Sequence, residues 1–178
     1  MADRWVRCWI FAGLIGFGAG ILPAFGGSPR AGDSPLSESG QMVIAESDRC
    51  PVCAMFPSKY PDFAAAIQLK NLRTYYFCCP GCMITAWLHP EAYLGAPSGE
   101  RLRAVATHYF TGKHTDCRDL VWVAGSDVIG PMGPAVVPLR TREEIEAFRR
   151  RHGGSAVFTL DKLTDEQWQT FRKTRPNP

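Results

Sequence analysis

The sequence predicts an α+β fold with two tandem strand–strand–helix–strand lobes, and three observations carry that prediction. Pairs of apolar, β-branched and aromatic runs occur twice, around Lys70-Asn71 and around the glycine-rich stretch Gly125–Gly133. Each pair is followed by a helix-start signal, Pro80 in the first case and Thr141-Arg-Glu-Glu144 in the second. Each helix is then followed by another strand-like run.

The first 26 residues fit no folded element. Arg4 and Arg7 precede an apolar run from Cys8 to Phe25, the layout of an export signal or an N-terminal membrane anchor. The run is at the short end of the roughly 20 residues that span a bilayer, and Pro23 and several glycines weaken a spanning helix. Cys8 stands at the start of the run rather than after it, and so is poorly placed as a lipid-attachment cysteine. Residues 27–45 are rich in Gly, Ser and Pro at first and are expected to be a flexible linker. The remainder divides into a cysteine-rich lobe over 46–112 and a second lobe over 113–178 carrying Gly125-Ser-Asp-Val-Ile-Gly130-Pro-Met-Gly133.

Within the first lobe, Phe63–Leu69 and Leu72–Phe77 flank Lys70-Asn71 as a tight hairpin. Pro80 suits the first turn of a helix, and Met83, Trp87 and their neighbours give it an apolar face. Pro90 and the Gly95–Gly99 cluster should end that helix, and Leu102–Phe110 reads as the third strand. In the second lobe, Leu120–Ala124 and Ala135–Leu139 are strands. Thr141 with Glu144 forms a capping box for a helix that stops near Gly153. Ser155–Leu160 is the last strand, and Thr164 with Gln167 caps a short C-terminal helix.

The chain has 178 residues and a net charge of +3. Its basic residues are scattered except for Arg149-Arg150-Arg151, which fits the C-terminal end of a helix dipole better than a nucleic-acid patch. No nucleic-acid partner is expected. Export would place the cysteines in an oxidising compartment, so a disulfide framework is one alternative. The adjacency of Cys78 and Cys79 and the short Cys-x-x-Cys spacings favour a metal or a redox couple instead.

The chemistry lies in residues 50–83. Cys50-Pro-Val-Cys53-Ala-Met55 and Cys78-Cys79-Pro-Gly-Cys82-Met83 bring five thiols and two thioethers near one hairpin. Thiolates select soft or borderline metals, and thioethers add a preference for copper(I) over zinc. A structural zinc knuckle on Cys50, Cys53, Cys79 and Cys82 is the main alternative, although it leaves Met55 and Met83 unexplained. A thiol–disulfide oxidoreductase is a second, since Cys50-Pro-Val-Cys53 has the spacing; no helix signature follows Cys53. Gly130-Pro-Met132-Gly133 leaves little room for packing around Met132 and should present its thioether outward, while burial under the loop is the ordinary alternative. Cys117, His89 and His152 read as packing residues. His108 and His114 flank one chain reversal and are weak candidates for a third ligand.

Thr107-His-Tyr-Phe110-Thr-Gly-Lys113 through Asp116, the Gly125–Gly133 loop and the Glu-rich helix ending at His152-Gly-Gly together resemble the NosL family. Cys53-Ala-Met55 is similar to that family's Cys-Gly-Met, with Ala54 in place of glycine. Tyr75-Tyr-Phe-Cys-Cys-Pro-Gly-Cys82, with Trp87, Pro90 and Tyr93, is also similar to the YHS or TRASH metal modules, which place cysteines at a treble-clef-like turn. The NosL resemblance implies an exported, membrane-tethered copper(I) chaperone, without enzymatic turnover, whose lobes are organomercurial lyase-like. It implies periplasmic delivery to nitrous oxide reductase during its maturation for denitrification, with docking on an ABC-type assembly complex. Carried over, its copper ligands fall on Cys53, Met55 and Met132. The family's lipid-attachment cysteine has no counterpart here, and the Cys78–Cys82 cluster exceeds what the family requires.

Overall fold

The computed structural model describes residues 35–173. The expected leader at 1–26 and the first residues of the expected linker lie outside the described residues. Among the described residues, no helix is long and apolar enough to cross a membrane.

The first sheet begins with β1 (Ala65–Leu69) and β2 (Thr74–Phe77), paired antiparallel with Ala65 opposite Phe77. All nine residues of the pair are buried, because both faces of the sheet are covered. Ile67, Leu69, Tyr75 and Phe77 enter the main core. Ala66 and Tyr76 face the other way, under Leu36 and Met42 of the preceding segment. The Tyr76 hydroxyl donates to the Pro35 carbonyl at 3.3 Å and accepts the Val43 N–H at 3.1 Å. Residues 35–45, expected to be linker, are therefore laid against the sheet. Continuous apolar runs are what a strand buried on both faces requires.

Lys70-Asn71 is not a two-residue hairpin. The connection runs from Lys70 to Arg73, with Leu69 donating to the Arg73 carbonyl at 2.9 Å, and Leu72 takes a left-handed φ of 67°. After β2 comes α1 (Pro80–Leu88), with Pro80 in its first turn. Pro90 does not end the helical region. It opens a second short helix, α2 (Pro90–Leu94), as a proline at a first helical position can; that helix stops at Gly95, φ 62°.

Next come β3 (Arg101–Thr107) and β4 (His114–Asp116). β3 pairs with the free edge of β1, and β4 with β3, giving the order β2-β1-β3-β4. The second sheet uses β5 (Val121–Ser126), and a two-stranded ribbon of β6 (Ile129–Gly130) and β7 (Gly133–Pro134) follows. β8 (Val137–Leu139), α3 (Arg142–His152) and β9 (Gly153–Phe158) complete the second sheet in the order β8-β5-β9. Gly125 sits where the β5–β9 register shifts, at φ 73°; a Cβ there would lie 2.2 Å from Ser155 Oγ. Only glycine fits that approach.

Both expected capping boxes form. Thr141 Oγ1 accepts the Glu144 N–H at 3.2 Å and Glu144 Oε2 accepts the Thr141 N–H at 3.2 Å. Thr164 and Gln167 exchange the same pair of bonds at the start of α4 (Asp165–Lys173). One core joins the two sheets: Phe77, Met83 and Ile84 pack with Trp122, Ala124 and Trp168. Trp168 Nε1 donates to Thr85 Oγ1 at 3.1 Å, docking α4 on α1.

Candidate metal centre

Two backbone features carry the thiols. The first is the loop from Cys50 to Met55, closed by the Cys50 N–H on the Met55 carbonyl and the Ala54 N–H on the Cys50 carbonyl, both 2.8 Å. Closing it puts Ala54 at φ 61°, a conformation that favours glycine. The residues after Cys53 run without regular structure into a short 3-10 helix at Pro57–Lys59, so Cys53 does not head an α-helix. The second feature is the passage from β2 into α1. Cys78 follows the last residue of β2, Cys79 is the extended N-cap residue of the helix, and Cys82 lies in its first turn.

The fold brings these features together beside the core. The Sγ atoms of Cys50, Cys53, Cys78 and Cys82 all lie within 4.8 Å of one another. Cys53 and Cys78 are 3.3 Å apart, and Cys78 and Cys82 3.9 Å. Zinc–sulfur bonds of about 2.3 Å imply a tetrahedral edge of roughly 3.8 Å, so the set suits a thiolate-bound ion with small adjustments. Cys50, Cys78 and Cys82 are buried and Cys53 is partly exposed.

Charge is unevenly shared among the sulfurs. S–H donation from Cys78, and then from Cys82, brings the Cys50 thiol down to about 2. The same two donors bring Cys79 down to about 4. Cys78 and Cys82 are pushed up, chiefly by donating to Cys50. Donation from Cys78 and Cys82 thus favours the charged form of Cys50 and Cys79. The positive N-terminal end of α1 favours such thiolates. A soft cation entering the cluster displaces the remaining protons.

Of the sequence-derived candidates, Cys50, Cys53 and Cys82 meet in the four-thiol set. Cys79 does not belong to it, and Cys78 takes that place. The signal for Cys78 was its adjacency to Cys79, which could not say which of the two would turn toward Cys50. Cys79 instead lines a cavity of about 260 Å³ together with Cys82, Met132 and Trp168. Met132 projects from the β6–β7 ribbon with 53% of its surface exposed. Met55 is partly buried against the main core.

The weak histidine candidates are engaged elsewhere. His108 lies between Glu144, 3.0 Å from Nε2, and Thr111, 2.9 Å from Nδ1. His114 Nδ1 accepts the Met42 N–H at 3.0 Å, and burial lowers its basicity. Cys117 is buried in the core, and that burial raises its thiol well above the usual range.

A thiol cluster built between a tight loop and a helix N-terminus, on a mixed α/β frame, defines a protein able to hold a soft metal ion. The NosL family model matches residues 41–168, and the chain belongs to the NosL family. It is 25% identical over 142 residues to the copper-binding lipoprotein NosL of Stutzerimonas stutzeri, spanning 77% of this chain and 74% of that protein. Its fold is similar to that of the copper chaperone NosL from Shewanella denitrificans, with a TM-score of 0.61 at 20% identity, over 71% of this chain and 96% of that one. Apo-NosL from Achromobacter cycloclastes aligns over 58% of this chain and 87% of its own, at 23% identity and a TM-score of 0.44.

Proposed function

We propose that this chain is a copper(I) metallochaperone that acts outside the cytoplasmic membrane, tethered or exported through residues 1–26. The carrying observation is the four-thiol cluster, whose Sγ atoms lie within 4.8 Å of one another, in a chain of the NosL family. Copper(I) is the cargo, and no catalytic turnover is involved. Soft donors of this kind bind copper(I) tightly, and they can be exchanged one at a time for a partner's donors without release of the free ion. Cys53, Met55 and Met132 are the ligands the family motif supplies, with the other thiols reinforcing the site. Delivery is to a periplasmic copper enzyme, nitrous oxide reductase, through an ABC-type assembly complex in the membrane. The first sheet takes in β4 at His114–Asp116, past the expected lobe boundary at 112/113, and the two sheets share one core.

A second reading has its own support. Four thiols at near-tetrahedral spacing, three of them buried, also suit a closed structural zinc site. Competition separates the two. The reduced full chain, handled without oxygen, is equilibrated with a coloured copper(I) chelator in the presence of zinc. Copper(I) retained against the chelator with zinc displaced is expected. Zinc held stoichiometrically while copper(I) is left with the chelator would overturn the chaperone reading in favour of the structural one.

A further inference from the structure

Five thiols converge where a single tetrahedral ion uses four. Cys82, 3.9 Å from Cys78, is the shared member. It lies within 4.8 Å of Cys50, Cys53 and Cys78, sulfur to sulfur, and lines one cavity with Cys79. Cys53 adds its sulfur beside Cys78 at 3.3 Å. Cys82 therefore stands between the Cys50, Cys53 and Cys78 donors on one side and a further donor, Cys79, on the other. The two surroundings differ. Cys79 and Cys82 line the 260 Å³ cavity, whose wall also carries Met132, while Cys50, Cys53 and Cys78 do not line it.

We propose that this cluster is a binuclear copper(I) site bridged by the Cys82 sulfur, with an inner ion on Cys50, Cys53 and Cys78 and an outer ion on Cys79. The proposal rests on the copper(I) reading above and deepens it. Thiolate sulfur has lone pairs enough to bridge two soft ions, and copper(I) accepts the low coordination numbers that shared ligands impose. The inner ion is enclosed by buried sulfurs and the loop. The outer ion faces the cavity, where the exposed thioether of Met132 can approach or be displaced by an incoming thiol or thioether. Copper remains monovalent throughout; each exchange breaks one copper–sulfur bond as another forms. The outer position is thus the exchangeable one, and the inner ion anchors it.

The test titrates copper(I), buffered by a coloured chelator, into the reduced full chain under nitrogen, and counts ions by native mass spectrometry. The expected result is two copper(I) ions for the wild-type chain, with a copper–copper scattering path in X-ray absorption at two equivalents. Cys79→Ser and Cys79→Ala should each hold one ion and lose that path. One ion in the wild-type chain, or two in both Cys79 variants, overturns the binuclear site and leaves the copper(I) reading standing. No copper(I) retained by the wild-type chain sinks both. The wild-type stoichiometry and scattering path decide the matter even where a variant fails to fold.

Discussion

The Sγ atoms of Cys53 and Cys78 lie 3.3 Å apart, so sulfur joins the loop before β1 to the turn between β2 and α1. A metal at this point ties together segments 25 residues apart in sequence. Cys78→Ser should accordingly weaken copper(I) binding on the order of tenfold or more, a loss of about 1.4 kcal/mol per decade. Cys117→Ser, at a core thiol outside the cluster, should leave the affinity unchanged. Chelator competition on both variants checks this; equal affinities would remove Cys78 from the site.

Ala54 is held at φ 61° by the two hydrogen bonds that close the Cys50–Met55 loop. A side chain in that region costs about 1 kcal/mol, and glycine relieves it at a smaller cost in unfolded-state entropy. Ala54→Gly should raise the stability of the reduced protein by roughly 0.5 kcal/mol. It would appear as a higher denaturant midpoint at unchanged slope. A lower midpoint would mean that the methyl group packs productively.

With 53% of its surface exposed, Met132 has little packing to lose. Met132→Ile should change the stability of the metal-free protein by no more than about 0.5 kcal/mol. Copper(I) affinity should fall, because the sulfur goes and comparable apolar bulk remains. Thermal unfolding of the metal-free variant and chelator competition measure the two effects separately. Unchanged affinity would confine Met132 to the cavity wall.

Glu144 links the capping box of α3 to His108 of the first sheet's connection. Desolvation raises its carboxyl, but the Arg140 N–H, His108 and the Thr141 N–H together outweigh that and hold it below the usual range. A carboxyl depressed in the fold contributes stability that is present above its unfolded value of about 4.3 and is lost as the pH falls through the folded value. Glu144→Gln should therefore melt below the wild type at pH 7, and the gap should close in acid. A gap independent of pH would assign the effect to lost hydrogen bonds alone.

Several elements were legible locally. The capping boxes at Thr141 and Thr164, the helix start at Pro80 and the long apolar strands rest on interactions within a few residues, so the sequence states them directly. The pairing of β3 with the free edge of β1, the addition of β4 and the docking of residues 35–45 over Tyr76 were not legible, because they join distant segments through buried area. The metal centre divides the same way. That Cys50, Cys53, Cys78, Cys79 and Cys82 would gather follows from their spacing around one hairpin. Which member of the adjacent Cys78–Cys79 pair turns toward Cys50, and which toward Met132, depends on how α1 packs against the loop at Cys50–Met55 and on where β6 and β7 lie. Those placements are set by the core that Phe77, Met83, Trp122 and Trp168 share, and only the tertiary structure decides them.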